Sequence, residues 1–307
     1  MHSFDEMSNL SKELRENLSR DFFINPISVD LLQKSTDGTI KNGVKLHDGL
    51  MVESVLIPTD SRSTACVSSQ VGCSLNCEFC ATAKLKRMRN LEVAEIVDQV
   101  ALIDRQSKEY FDRPLTNIVF MGMGEPMMNY KNVVEAIHKI TKPEGLGMSP
   151  RRITVSTSGI PKMIKMLADE EIKVKLALSL HSAIEHKRND IMPFSEKFPL
   201  TDIMDSLQYW YQKTGSPITF EYCVWKGIND GDEDIKALIR FCRQVPSKVN
   251  LIQYNPIGEG KFDHRSVSAE EKYVRELEKA GITIMVRKSR GGDIDAACGQ
   301  LANKSAE

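Results

Sequence analysis

The sequence predicts an α/β fold built on a parallel sheet, and three observations lead to that prediction. From about residue 63 onward, β-prone runs alternate with amphipathic helical runs, which is the order of repeated βα units. Several of the predicted strands carry polar residues on a face that a packed core would make apolar. Turn dipeptides cluster ahead of the alternating region. The alternation alone allows either a barrel or an open doubly wound sheet.

Composition limits the classes of protein to consider. The chain has 307 residues, of which 41% are hydrophobic and 27% charged, as expected for a globular protein with a sizeable core. With 41 basic and 42 acidic residues, overall charge does not indicate a nucleic-acid binder, so any RNA contact must come from local patches. The N-terminus lacks the pattern of a signal peptide, and the sequence contains no long apolar run. We therefore expect a cytoplasmic protein without a membrane span.

Residues 1–25 are predicted to be mainly helical. Leucines recur at helical spacing among charged residues from Ser3 to about Phe23, and the run that begins at Ser3 resembles a capping box. These leucines are Leu10, Leu14 and Leu18.

Residues 26–60 are predicted to form a small antiparallel β meander. The dipeptides Asp37-Gly38, Asn42-Gly43 and Asp48-Gly49 separate β-prone runs and are typical of tight turns.

Residues 61–307 contain the alternating βα pattern. The predicted strands lie near 63–69, 117–121, 152–157, 173–180, 217–224, 248–254 and 282–286. The predicted helices lie near 91–108, 131–141, 160–169, 201–213, 231–244 and 268–280.

Side-chain alternation favours the barrel over the open sheet. In the run that ends at His181, Ser179 and His181 share one strand face while leucines occupy the other. Ser156 and Ser158 are placed in the same way at the preceding predicted strand, and Cys66 lies on a polar face of the first strand. Polar residues near the C-terminal ends of strands indicate a barrel mouth that holds a polar ligand.

Three of the seven cysteines crowd into one loop. Cys73-x3-Cys77-x2-Cys80 offers three thiolates to one compact inorganic centre, and three ligands on a four-iron cluster leave one iron open for chemistry. An odd number of cysteines, three of them clustered, fits metal binding better than a disulfide framework. The alternative is a structural zinc site with Cys66 as the fourth ligand.

The cysteine spacing resembles the radical S-adenosylmethionine superfamily, whose usual barrel has six βα units. Further segments resemble the RlmN/Cfr family of radical S-adenosylmethionine RNA adenine methyltransferases, and more closely its RlmN branch, from about Ser3 to Leu301. These segments are 66–73 (CVSSQVGC), 121–126 (MGMGEP), 156–159 (STSG), 179–181 (SLH) and 293–299 (DIDAACG). The resemblance implies a partial (β/α)6 TIM-like barrel, with residues 1–25 as the remnant of an N-terminal helical accessory domain.

The resemblance also implies site residues. Cys73, Cys77 and Cys80 would hold a [4Fe–4S] cluster. The residues that would contact S-adenosylmethionine are Gly124, Glu125, Ser156, Ser179, Leu180, His181 and Asn255.

The implied chemistry needs two more cysteines and a base. Cys298 would take a methyl group from one S-adenosylmethionine, and a second molecule would generate the radical that activates this methyl group for addition to adenine. Cys66 would then release the product by forming a transient disulfide with Cys298. Glu53 would remove the proton from the adduct.

The implied substrates are 23S rRNA and tRNA, methylated at carbon 2 of adenine. The implied partners include an electron donor such as flavodoxin, and the chain is expected to be a monomer. Two alternatives stay open, namely a C8 methyltransferase of the Cfr type and a zinc-stabilised RNA-binding protein without catalysis. Basic residues near the proposed chemistry could guide RNA phosphates. They are Lys84, Lys86, Arg87, Arg89, Arg151, Arg152, Arg287, Lys288 and Arg290.

Overall fold

The computed structural model describes residues 3–22, 24, 27–258, 262 and 267–303. Its strands are β1 (Ser28–Lys34), β2 (Ile40–Lys45), β3 (Met51–Pro58), β4 (Ser63–Cys66), β5 (Gln70–Val71), β6 (Arg89–Asn90), β7 (Asn117–Phe120), β8 (Ile153–Thr157), β9 (Lys175–Ser179), β10 (Ile218–Cys223), β11 (Ser247–Ile252) and β12 (Thr283–Arg287). Its α-helices are α1 (Lys12–Asp21), α2 (Val93–Phe111), α3 (Tyr130–Thr141), α4 (Pro161–Asp169), α5 (Glu185–Ile191), α6 (Leu200–Thr214), α7 (Asp232–Cys242) and α8 (Val267–Lys279).

The N-terminal helix is shorter than predicted. A 3-10 helix covers Phe4–Glu6, and α1 begins only at Lys12. The capping box at Ser3 is wrong, because the Ser3 side chain makes no capping hydrogen bond there. Instead, Ser11 caps α1, and its hydroxyl accepts a hydrogen bond from the Leu14 N–H at 3.2 Å. Phe23, where the predicted helix ended, lies outside the described residues.

Ten strands form one sheet in the order β1-β2-β3-β4-β7-β8-β9-β10-β11-β12. Strands β4 and β7 to β12 pair in parallel, and helices connect them as six βα units. This confirms the predicted (β/α)6 arrangement, with β12 as a seventh parallel strand. The antiparallel meander β1–β3 extends the same sheet, because β3 pairs with β4.

The sheet curls into a partial barrel. Cys66 at the end of β4 and Arg287 at the end of β12 line one common cavity, although five strands lie between β4 and β12 in the sheet order. Leu176, Leu178 and Leu180 are fully buried on the opposite face, against the helices. Burial of each such side chain contributes about 1.5–3 kcal/mol. The polar strand face predicted from alternation therefore points into the barrel.

Three local features differ from the predictions. Asn42-Gly43 is not a turn but lies inside β2, where the Asn42 amide exchanges two hydrogen bonds with the buried Gln106 amide, at 2.9 and 2.6 Å. The buried amide pair stabilises an extended backbone at a dipeptide that alone favours a turn. Helix α5 and the β5–β6 pair were not predicted. Within the described ranges, no helix is long and apolar enough to cross a membrane.

Candidate functional site

One cavity lies at the C-terminal ends of the barrel strands and collects most of the predicted site residues. Those that line it are Cys66, Cys73, Cys77, Cys80, Gly124, Glu125, Ser156, Ser179, His181, Asn255 and Cys298. Two predicted residues, Leu180 and Glu53, do not line the cavity.

The three clustered cysteines lie in the loop between β5 and β6, and other parts of the chain fix that loop. Within it, the Cys80 N–H donates to the Cys77 carbonyl at 3.2 Å. From outside, the Glu78 N–H donates to the Ile191 carbonyl at 3.1 Å, and the Ala81 N–H donates to the Gly299 carbonyl at 2.7 Å. The loop is therefore positioned by the end of α5 and by the segment that carries Cys298.

Burial favours the neutral form of these three thiols. It raises the pKa of Cys73 to about 11 and also raises the pKa values of Cys77 and Cys80, and the neighbouring thiols raise those of Cys73 and Cys77 further. Such thiols become thiolates when a positively charged centre binds them. In the described part of the chain, no group of three or more His, Cys, Asp or Glu side chains could hold a metal ion. A single zinc ion with Cys66 as fourth ligand therefore finds no ligand group among the described residues. Cys73, Cys77 and Cys80 nevertheless line one cavity, and three thiols from one loop are the donor set of an iron–sulfur cluster, in which each thiol binds its own iron.

Gly124 positions the carboxylate that follows it. Its φ is +92°, and a Cβ at this position would overlap the side chain of Gln70. The Gln70 side-chain amide oxygen in turn accepts the Glu125 N–H at 2.9 Å. The Glu125 carboxylate accepts the N–H groups of Met127 at 3.1 Å and Ser158 at 2.8 Å. Burial raises the pKa of Glu125, and its hydrogen bonds oppose that rise.

His181 is a buried, neutral imidazole. Its φ of 56° lies in the left-handed region, which is uncommon for a residue with a side chain and is frequent at functional sites. Its Nδ1 accepts the Cys223 N–H at 3.2 Å, which leaves Nε2 to carry the proton. Burial, and then the charge of Arg188, lower the pKa of His181 to about 3. The imidazole therefore acts as a neutral hydrogen-bonding group at neutral pH.

Aromatic rings pack the cysteine loop onto the barrel. The Phe79 ring meets His181 edge to face with centroids 4.5 Å apart, and it contacts Trp225 at 5.4 Å. Trp225 is fully buried. The apolar packing excludes water from this side of the cavity.

Cys66 and Cys298 lie on the same cavity. Cys66 ends β4 and is buried, which raises its thiol pKa to about 12, with a smaller contribution from Cys298. The residue Cys298 is exposed to solvent. The protein atoms around its thiol nevertheless remove part of the surrounding water, which raises the thiol pKa to about 11. The Cys298 carbonyl accepts a hydrogen bond from the Asn255 side-chain amide at 3.2 Å. All seven cysteines are free thiols, so the predicted transient disulfide is not formed in this state and stays a prediction.

The two predicted residues outside the cavity wall have other surroundings. Leu180 is fully buried in the apolar core. Glu53 is buried and forms an ion pair with Lys41 at 3.1 Å, and it accepts the Ala302 N–H at 2.8 Å. The proposed roles of both residues stay predictions.

The basic residues divide by location. Arg287 and Lys288 are exposed and line the cavity. Arg89 is occupied by bidentate hydrogen bonds to the Glu95 carboxylate, at 2.8 and 2.7 Å. Arg151 and Arg152 precede β8, whose other end lines the cavity, so they lie roughly 15 Å away along the strand. The expectation that these two arginines lie beside the chemistry is wrong.

Sequence reasoning missed Glu221. It lies on β10, lines the cavity and is buried; one oxygen accepts a hydrogen bond from the Asn250 side-chain amide at 2.9 Å. The other oxygen has no hydrogen-bond partner among the described residues and lies 3.7 Å from Arg287. Burial raises the pKa of Glu221. Alternation could have found it, because Thr219, Glu221 and Cys223 share one strand face.

Arg188 was also missed, and here the sequence carried no signal because α5 was not predicted. Its guanidinium is fully buried and donates to the Ser158 carbonyl at 2.5 Å and the Ser179 carbonyl at 3.4 Å. Burial lowers the pKa of Arg188 to about 10, so it is still a cation at neutral pH. It supports two strand ends from behind the cavity wall.

Comparisons with known proteins agree with this geometry. The family model described as the Radical SAM superfamily matches residues 67–242. A curated protein from Christiangramia forsetii, described as a probable dual-specificity RNA methyltransferase RlmN, is 68% identical over 99% of this chain and 87% of its own length. The dual-specificity RNA methyltransferase RlmN of Geotalea uraniireducens is 42% identical over 98% of this chain and 86% of its own length.

Solved structures give the same result. A radical SAM methyltransferase from Sphaerobacter thermophilus superposes with a TM-score of 0.94 at 39% identity, over 99% of this chain and 89% of that chain. Streptococcus suis SuiB bound to S-adenosylmethionine is similar in fold alone, with a TM-score of 0.54 at 14% identity over 72% of this chain and 49% of that chain.

Proposed function

This chain belongs to the RlmN family of radical SAM RNA methyltransferases, and we propose that it methylates carbon 2 of adenine in 23S rRNA and tRNA through an S-methylcysteine on Cys298. The observation that carries the proposal is that Cys66 and Cys298 share one cavity with three loop cysteines. A methyl carrier and a resolving thiol must both reach the same reacting centre, and this cavity brings them together.

Family membership implies a [4Fe–4S] cluster and S-adenosylmethionine. Cys73, Cys77 and Cys80 would hold the cluster, while Glu125 and His181 would contact the cofactor. When bound, the two groups supply a methyl donor and an organic radical, with two cofactor molecules used per turnover. The buried carboxylate of Glu125 suits a positively charged amino group, because a charge-assisted hydrogen bond would compensate for its burial.

The substrate explains why a cysteine must carry the methyl group. Carbon 2 of adenine has no lone pair, so it cannot attack a methyl sulfonium as a thiolate can. Cys298 would accept the methyl group by ordinary nucleophilic substitution as a thiolate. Once the methyl carbon is bonded to adenine, Glu53 would remove the proton from carbon 2 of the adduct. The Cys66 thiolate would then attack the Cys298 sulfur, so that the disulfide forms as the bond between this sulfur and the methylene carbon breaks, and the released carbon takes up a proton to complete the methyl group.

RNA would reach the cavity with the target base displaced from its stack, because the thiols lie inside a barrel mouth. Arg287 and Lys288 line that mouth, which supports a role for them in contacting phosphates. An electron donor such as flavodoxin would reduce the cluster, and we expect the enzyme to act as a monomer.

Anaerobic turnover with 23S rRNA and tRNA supplied separately tests the substrate and the position of the methyl group. Mass spectrometry of the digested RNA should show 2-methyladenosine from both substrates. If 8-methyladenosine forms without 2-methyladenosine, the enzyme is of the C8 type and the proposed position is wrong.

A further inference from the structure

The segment that carries Cys298 is held between two parts of the fold, and one of them is the β meander. We propose that the meander is the docking seat of this carrier segment, residues 290–303, and that Lys41 is the positioning residue that fixes it on both sides of Cys298. The inference rests on the proposed role of Cys298 as methyl carrier.

The β1–β2 turn holds the beginning of the carrier segment. The Asp293 carboxylate accepts the Ser35 hydroxyl at 2.5 Å and the Thr36 N–H at 3.1 Å. The Gly291 N–H donates to the Asp37 carboxylate at 2.9 Å. These contacts are partly exposed, so each contributes modestly.

Strands β2 and β3 hold the rest of the segment through a buried ion pair. Lys41 and Glu53 are 3% and 2% exposed, and their charged atoms lie 3.1 Å apart. The Lys41 ammonium also lies within 3.4 Å of the Asp295 carbonyl, to which it donates. The second Glu53 oxygen accepts the N–H groups of Ala302 at 2.8 Å and Asn303 at 3.2 Å.

Lys41 thus connects both flanks of Cys298. It contacts Asp295 on one side directly and reaches Ala302 on the other through Glu53. If an uncharged residue replaces Lys41, the Glu53 carboxylate is left buried without a cation. This raises the free energy of the folded protein, and the Glu53 side chain would lower it again by moving toward water. Such relaxation would break the two N–H contacts and free the end of the segment.

The cysteine loop forms the opposite wall of the seat. The Ala81 N–H donates to the Gly299 carbonyl at 2.7 Å, and the Thr82 hydroxyl donates to the Leu301 carbonyl at 2.6 Å. The carrier segment therefore spans the gap between meander and loop, and Cys298 lies where it enters the cavity.

Hydrogen–deuterium exchange of the anaerobically prepared, cluster-loaded enzyme tests the seat without turnover. In K41M, peptides covering residues 291–303 should exchange at least about tenfold faster than in the wild type, while a peptide from β9 keeps its protection. K41R should restore most of the protection, because it keeps a cation at the site. K108M is the matched control, since the exposed Lys108 pairs with Asp104 within α2, and the variant should leave residues 291–303 unchanged.

Two further measurements separate positioning from general stability. N303A removes the side-chain hydrogen bond to the Met51 carbonyl and should speed exchange at the end of the segment, even if K41M cannot be purified. In K41M, methylation of Cys298 by S-adenosylmethionine should slow at least about tenfold with RNA affinity unchanged.

If residues 291–303 exchange as slowly in K41M as in the wild type, the proposed docking of the carrier segment on the meander is wrong. If K41M cannot be purified, the same comparison is made with N303A. If the wild type is never methylated on Cys298, the proposed function fails, but the exchange result still decides whether the segment is docked through Lys41.

Discussion

The neutral state of His181 gives a pH dependence whose size follows from its surroundings. Burial lowers its pKa from 6.5 to about 3 in the folded protein. Between these values the unfolded chain binds a proton that the folded protein does not, so the stability that His181 contributes is complete above pH 6.5 and is lost as the pH falls. Going from a pH of about 7.5 to about 5.5 should cost about 1.4 kcal/mol, or roughly tenfold in the unfolding equilibrium constant.

The H181N variant isolates this contribution. Asparagine tolerates the left-handed backbone of residue 181 and cannot take up a proton, so the variant should lose about 1.4 kcal/mol less than the wild type over the same pH range. Urea denaturation of the metal-free protein at both pH values measures the difference, since the acid sensitivity of a cluster then plays no part. The exposed His186 provides the matched control, and H186N should follow the wild type. Equal losses in wild type and H181N would refute the argument that the buried imidazole is neutral.

Three further predictions concern the cavity. C66A should accumulate a covalent RNA–protein adduct under turnover, visible on a denaturing gel; free methylated RNA at the wild-type rate would contradict a resolving role. Burial raises the pKa of Glu221 above its ordinary value of 4.5, so its contribution to stability falls as the pH rises. E221Q should therefore raise the urea midpoint of unfolding more at high pH than at low pH. An equal rise at both pH values would contradict this direction. K288Q should weaken RNA binding and reduce the dependence of the binding constant on salt concentration by about one phosphate contact, whereas R152Q should change neither. Filter-binding titrations measure both effects. If R152Q weakens binding and K288Q does not, the RNA binds at the other end of the barrel.

The sequence could predict what depends on local pattern. Alternation placed Ser179 and His181 on the cavity face because neighbouring strand residues point to opposite sides. The same rule would have identified Glu221, which lies on a strand with equally regular alternation.

Long-range contacts account for what the sequence could not predict. Asn42 was expected in a turn, but it pairs with Gln106, which lies 64 residues away along the chain. Gly124 lines the cavity, and its expected contact with the cofactor stays a prediction, but its close packing against Gln70 could not be predicted. The pairing of Lys41 with Glu53 joins two neighbouring strands to a segment about 250 residues later, and no local pattern records it.

Whether Cys298 carries the methyl group can be decided by following a labelled methyl group through the reaction. The anaerobically reconstituted enzyme is incubated with S-adenosylmethionine labelled in its methyl group, and peptides are sequenced by tandem mass spectrometry before and after RNA is added. A labelled methyl group should appear on Cys298 and should disappear as labelled 2-methyladenosine forms. Labelled RNA without any methylation of Cys298 would contradict it.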